Sequence, residues 1–229
     1  IAVRGADHVS VRRPNRRVFG YWHVRPVVRS GEHVRMHQLL GYVIAGWGHV
    51  HFAEAVAGLD RPPLRHSALT PYRETAQPVV DSIWVERLDG HTLQSVAPAA
   101  VSGTVAFVAD AYQLPTIAPP APWNRSRLVP SLLRWRLIPA DGDPPLAWHV
   151  AADFRYRLEP QSAFSAVYAP GTYQNKPDRP GDYRYWLTPS FDSTSVPNGA
   201  YFVDVEATNI SGGSGDDSIE ITIANDLDR

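Results

Sequence analysis

Apolar and polar positions alternate along this chain in short runs, separated at close intervals by Gly, Pro, Asn and Asp. A period of two belongs to half-buried strands, because successive strand side chains point to opposite faces. Val105, Phe107 and Ala109 read as one face of a strand over 101–112, with Ala106, Val108 and Asp110 on the other. The same reading predicts strands at 9–11, 18–24, 38–44 and 49–55. It predicts more at 81–88, 132–138, 148–158, 183–187, 201–208 and 218–224. The runs 132–138 and 148–158 flank Asp141-Gly142-Asp143, a long hairpin; 201–208 and 218–224 flank a Gly/Ser/Asp loop, the closing hairpin. No stripe of helical period extends over three turns, and 21 prolines oppose long helices. The expected class is all-β.

The runs fall into groups. Residues 1–56 hold tightly spaced strands. Residues 57–78 carry Pro62, Pro63, Pro71 and Pro78 with few apolar positions, as in a linker or a strap lying on a neighbouring surface. Residues 79–229 repeat short strands at a spacing that predicts a two-sheet β-sandwich. That stretch is longer than one such domain needs, so Leu114–Trp123 and Ala169–Pro180 read as loop excursions.

Composition narrows the chemistry. The 229 residues suffice for one large domain or two small ones with a real core. A net charge of −1 provides no global field for nucleic acid or an anionic membrane, and no nucleic-acid partner is expected. Cysteine is absent, which excludes disulfides, thiolate metal sites and a cysteine nucleophile, so any metal is left to His, Asp or Glu. No apolar run has the length of a membrane span, and no signal-peptide pattern is present. The chain begins at Ile1 and its only methionine is Met36. It is expected to be a processed product or fragment with sequence missing upstream.

The histidines are the candidate chemistry. In a strand, His49 and His51 share a face; one imidazole can bind metal while its neighbour handles protons. Two histidines on a polar sheet face fit the same pattern. His23, after Tyr21 and Trp22, is either a site residue or a partly buried histidine between aromatics. His33 and His37 have a zinc-like spacing for a helix, but Gly31 and the β-rich surroundings put them in surface loops. His8, His66, His91 and His149 stand alone and read as structural or exposed. Tyr173, Tyr183, Tyr185 and Trp186 can bind sugar or a partner if exposed, but alternation would put some of them in the core, which is the preferred reading.

Taken in order, Phe19-Gly20-Tyr21-Trp22-His23-Val24, Pro26–Val34 with its Ser30-Gly31 turn, Leu39-Leu40-Gly41-Tyr42-Val43 and Gly48-His49-Val50-His51-Phe52-Ala53-Glu54 form one sequence of features. It resembles the C-terminal half of the lysostaphin-type (LytM-like) zinc endopeptidases of peptidoglycan. The resemblance covers residues 1–56 and implies part of that family's β-sheet. It implies that His51 is a zinc ligand, that His49 is catalytic, and that His23 assists proton transfer or stabilises the oxyanion. In such a site zinc acidifies its bound water and the histidines manage protons. The family cuts peptide cross-links of bacterial walls, which implies an extracellular or cell-surface place. Residues 79–229 resemble immunoglobulin-like or fibronectin-type-III-like modules of bacterial surface proteins. Asn198–Thr208 matches their penultimate strand, and Ile219–Ile223 before Asn225 matches the last.

The pattern departs from the family at one point. Its other two zinc ligands, a histidine and an aspartate four residues later, lie upstream of the tyrosine-X-histidine segment. No His-X-X-X-Asp precedes His23 here. The chain supplies one of three expected ligands, so zinc is expected to be absent or weakly held by it alone. The expected function is an extracellular peptidase-like surface protein, inactive as this chain by itself. The alternative is a non-catalytic structural, adhesive or assembly protein using the peptidase-like part as scaffold; a third is a carbohydrate-binding module. Half a sheet leaves Val9, Val11, Val18, Phe19, Val24, Leu39, Leu40, Val43 and Phe52 in need of cover. The expected partners are an upstream half-domain or another copy of the chain, with bacterial wall as the surface bound.

Overall fold

The structure, a computed structural model, describes residues 1–65, 68, 72–90 and 92–225. His66, Pro71 and His91 lie outside the described residues. Strand makes up 47% and helix 6%, so the protein is all-β. The chain divides into two compact units. One is Ile1–Leu69 with Tyr156–Pro160; the other is Thr70–Arg155 with Gln161–Arg229.

The first unit is built on an antiparallel sheet of order β1-β2-β3-β6-β7. Its strands are Ala2–Arg4 (β1), His8–Arg12 (β2), Arg17–Trp22 (β3), His51–Val56 (β6) and Leu59–Arg61 (β7). A separate ribbon pairs Val24–Pro26 (β4) with Gly41–Val43 (β5). The predicted strand 18–24 is therefore two strands, broken at His23, whose φ is +64°. Ala2, Val9 and Val28 form the core, with Val11, Val34 and Leu40 packed beside them. Val24 is buried too, whereas Leu39 and Val43 remain 53% and 49% exposed. Glu54 is buried between Arg65, at 2.7 Å, and Arg17, at 3.4 Å.

The stretch expected to be a 57–78 linker is divided between the units. Ala57 and Gly58 have φ of +53° and +84°. Two consecutive positive φ values make the tight hairpin turn whose twist suits antiparallel strands, and it folds β7 back onto β6. Farther on, Glu74 is fully buried in the second unit. Its carboxylate accepts from the Tyr72 hydroxyl (2.6 Å), the Thr116 hydroxyl and the Ala76 amide (3.1 Å). Conversely, the predicted strand 148–158 ends at Asp153. Tyr156–Pro160 then join the first unit, where Leu158 N–H donates to Asp60 C=O (3.0 Å) and Arg61 donates to Tyr156 C=O (2.6 Å).

The second unit contains two four-stranded antiparallel sheets. One has the order β13-β10-β8-β9, from Val79–Asp89 (β8), Thr92–Ser95 (β9), Thr104–Tyr112 (β10) and Arg184–Asp192 (β13). The other has the order β12-β11-β14-β15, from Leu132–Pro139 (β11), His149–Asp153 (β12), Gly199–Thr208 (β14) and Ser214–Ile223 (β15). Their inner faces meet where the Phe107 and Trp135 rings cross at 5.4 Å. Val101 bridges the end of β15, donating to Thr222 C=O and accepting from Ala224 N–H.

The two-faced alternation of β10 conceals that both faces are buried. Its outer residues Ala106 and Val108 are covered by Trp84, Leu93, Trp186 and Ala169. The short helix Phe164–Val167 (α1) is tied to this face by Trp186 Nε1, which donates to Ser165 C=O at 3.2 Å. Tyr183, Tyr185 and Trp186 are in the core; Tyr173 is half-buried beneath the Arg179 guanidinium.

Candidate functional site

Strand pairing in the first unit places His8, Trp22 and His51 side by side on one sheet face, since Trp22 is the register partner of both histidines. Trp22 lies over Gly20; a Cβ there would sit 2.3 Å from the indole, so the close approach requires glycine. His23 follows Trp22, and simple alternation would turn it to the opposite face. Its positive φ, a region that histidine enters more readily than most residues, redirects the ring toward His51 instead.

The third histidine arrives from a loop. β6 begins at His51, so His49 precedes the strand and the same-face argument does not place it. Gly46 and Gly48, with φ of +95° and +67°, coil the chain between β5 and β6. Ile44 N–H donates to His23 C=O, which anchors this loop beside the break in the sheet. Trp47 then stacks flat on His23, with ring centres 3.9 Å apart and planes at 12°. His49 Nδ1 is 2.6 Å from Trp47 C=O. A carbonyl only accepts, so Nδ1 carries the proton and the neutral ring has its lone pair on Nε2.

The result is a ledge of imidazole and indole rings. His23 is 5.0 Å from His49, edge to face, and 6.3 Å from His51, nearly parallel. Trp22 is 5.9 Å from His51 and 6.3 Å from His8. Trp22 and Trp47 are 36% and 47% exposed, so a ligand can reach them. His23 Nδ1 is buried and has no hydrogen-bond partner among the described residues. Burial, then the neighbouring His49 and His51, hold the His23 pKa below its ordinary value, outweighing Asp7. His23 is thus a neutral imidazole at pH 7. On His8, Nδ1 lies 3.2 Å from an Asp7 carboxylate oxygen.

The structure brings together His23, His49 and His51. It separates Glu54, which points to the other sheet face and into its arginine pair. His33 and His37 are exposed in loops; His149 is on β12, stacked on Trp135 at 5.0 Å. Sequence reasoning missed Trp47 and treated His8 as solitary. The Gly46/Gly48 spacing around Trp47 was the available signal for the first; the second needs the β2–β3 register.

Among the described residues, no three of His, Asp and Glu are grouped so as to hold a metal ion. The described residues do not make a three-ligand zinc site. None of the known protein-family models matches the chain, and no curated protein matches it either.

Proposed function

We propose that this chain is an extracellular peptidase-like surface protein whose first 56 residues are related to the zinc-dependent endopeptidases of bacterial walls. Residues 79–229 then act as an immunoglobulin-like spacer or docking module. What supports this reading is the meeting of His23, His49 and His51 on one ledge. These are the three histidines of the motif, drawn together from a strand end, a loop and a strand start. In it His51 would be one of the residues holding a zinc ion completed by ligands from elsewhere, which would acidify a bound water, while His49 can accept a proton on Nε2 and neutral His23 can donate to or orient a carbonyl. One expected ligand cannot hold catalytic zinc, so the chain by itself is read as inactive.

A second reading makes the ledge a non-catalytic wall-binding surface. It is favoured by the exposed indoles of Trp22 and Trp47, which flank the histidines as flat contact surfaces. Incubation with purified peptidoglycan and zinc tests the wall association that both readings share and the inactivity expected of this chain. The protein is expected to sediment with the wall and to release no cross-link peptides. Peptide release that stops in His51→Ala would establish a complete enzyme. Failure to sediment would end the cell-wall reading altogether.

A further inference from the structure

On the sheet face opposite the histidines, the first unit has a groove of about 610 Å³. Val11, Phe19 and Tyr21 contribute to its floor, and the turn Val34–Leu40 contributes to its other wall. That wall is braced: Arg35 N–H donates to the Gln38 side chain, whose own amide donates to Glu32. Arg12, Arg13, Arg35 and His37 also line the groove.

Charge distinguishes this groove from an unfinished apolar face. Among the described residues, Arg12, Arg13 and Arg35 have no carboxylate partner. The carboxylate bracing the wall, Glu32, is already occupied by the Arg29 amide and Gln38. A purely apolar cover would strip water from several cations and return no counter-charge, which is costly. An occupant with carboxylates satisfies them, and the guanidinium fork matches a carboxylate in two-point geometry.

We propose that this groove binds a short acidic peptide, with apolar side chains on the Val11/Phe19/Tyr21 floor and carboxylates on Arg13 and Arg35. The volume is that of a compact ligand of a few residues. The apolar floor disfavours a phosphate backbone, and a concave groove fits a peptide better than a flat bilayer surface. The site is separate from the histidine ledge and does not depend on the peptidase reading.

Calorimetric titration of the whole chain tests it with two blocked tetrapeptides, one alternating leucine with glutamate and the other leucine with glutamine. At low ionic strength the glutamate peptide should bind about tenfold more tightly, the size expected of two exposed ion pairs, and added salt should narrow the gap. Arg13→Ala combined with Arg35→Ala should make the two peptides equal while the thermal melt is retained. The proposal is overturned if the wild-type chain binds both peptides alike, binds neither, or responds only to phosphatidylglycerol vesicles.

Discussion

His23 is the residue on which the ledge depends. Its backbone occupies a region that a β-branched side chain enters only with strain, and its ring loses water without gaining a partner for Nδ1. His23→Val should destabilise the first unit by about 1–3 kcal/mol, whereas His23→Asn, which tolerates positive φ, should cost much less. The pH dependence follows from the lowered pKa. Above the ordinary value of 6.5, His23 is neutral folded or unfolded and contributes nothing to the slope. As pH falls through 6.5 toward the folded value, the unfolded chain takes up the proton first, and stability declines. Urea midpoints at pH 7.5 and pH 5 should fall farther for wild type than for His23→Asn; parallel declines would remove this account of the ring.

At the scale of elements, the positions that decide packing are close backbone approaches. Gly215 on β15 is one. A Cβ there would lie 2.1 Å from the Pro78 carbonyl oxygen, so one backbone must move. Gly215→Ala should cost about 1–3 kcal/mol, the range for forcing extra volume into a packed region. Asp216→Ala, an exposed neighbour on the same strand, should stay within about 0.5 kcal/mol. Chemical denaturation of the two variants checks the contrast, and equal midpoints would mean that the Pro78 segment yields easily. The β6–β7 hairpin illustrates the opposite case, where Ala57-Gly58 supplies its own turn and the pairing is local.

The whole molecule is organised by where segments go rather than by chain order. The Pro-rich stretch is shared: β7 belongs to the first unit, while the buried Glu74 belongs to the second. Asn209 Nδ2 also donates to Ala76 C=O at 2.8 Å. Residues 72–229 should therefore melt cooperatively by themselves. Starting instead at Val79 removes Glu74 and Ala76 and leaves Thr116 and Asn209 without those partners. Thr116 is exposed and can turn to water, but Asn209 is buried, and a buried group left unpaired costs about 1–3 kcal/mol, so the shorter chain should melt lower in calorimetry. A broad, non-cooperative melt of 72–229 would show that its core needs residues 1–71. Among the described residues, no helix is long and apolar enough to cross a membrane.

Local pattern was enough for the all-β class, the closing β14–β15 hairpin and the core placement of Tyr185 and Trp186; the choice of His23, His49 and His51 rests on the family resemblance. Alternation, turn chemistry and residue spacing operate over a few neighbours, and a sequence displays them directly. Other features depend on partners remote in the chain. His8 joins the ledge through its register opposite Trp22. His49 and Trp47 arrive through a coiled loop anchored on the His23 carbonyl. β10 is buried on its outer face because Ala169 returns over it beside Trp84, Leu93 and Trp186. Residues 156–158 leave their expected strand because Asp60 and Arg61 offer hydrogen bonds nearly a hundred positions away. Backbone polar groups must be satisfied wherever the fold buries them, and only the tertiary structure determines which distant groups satisfy them.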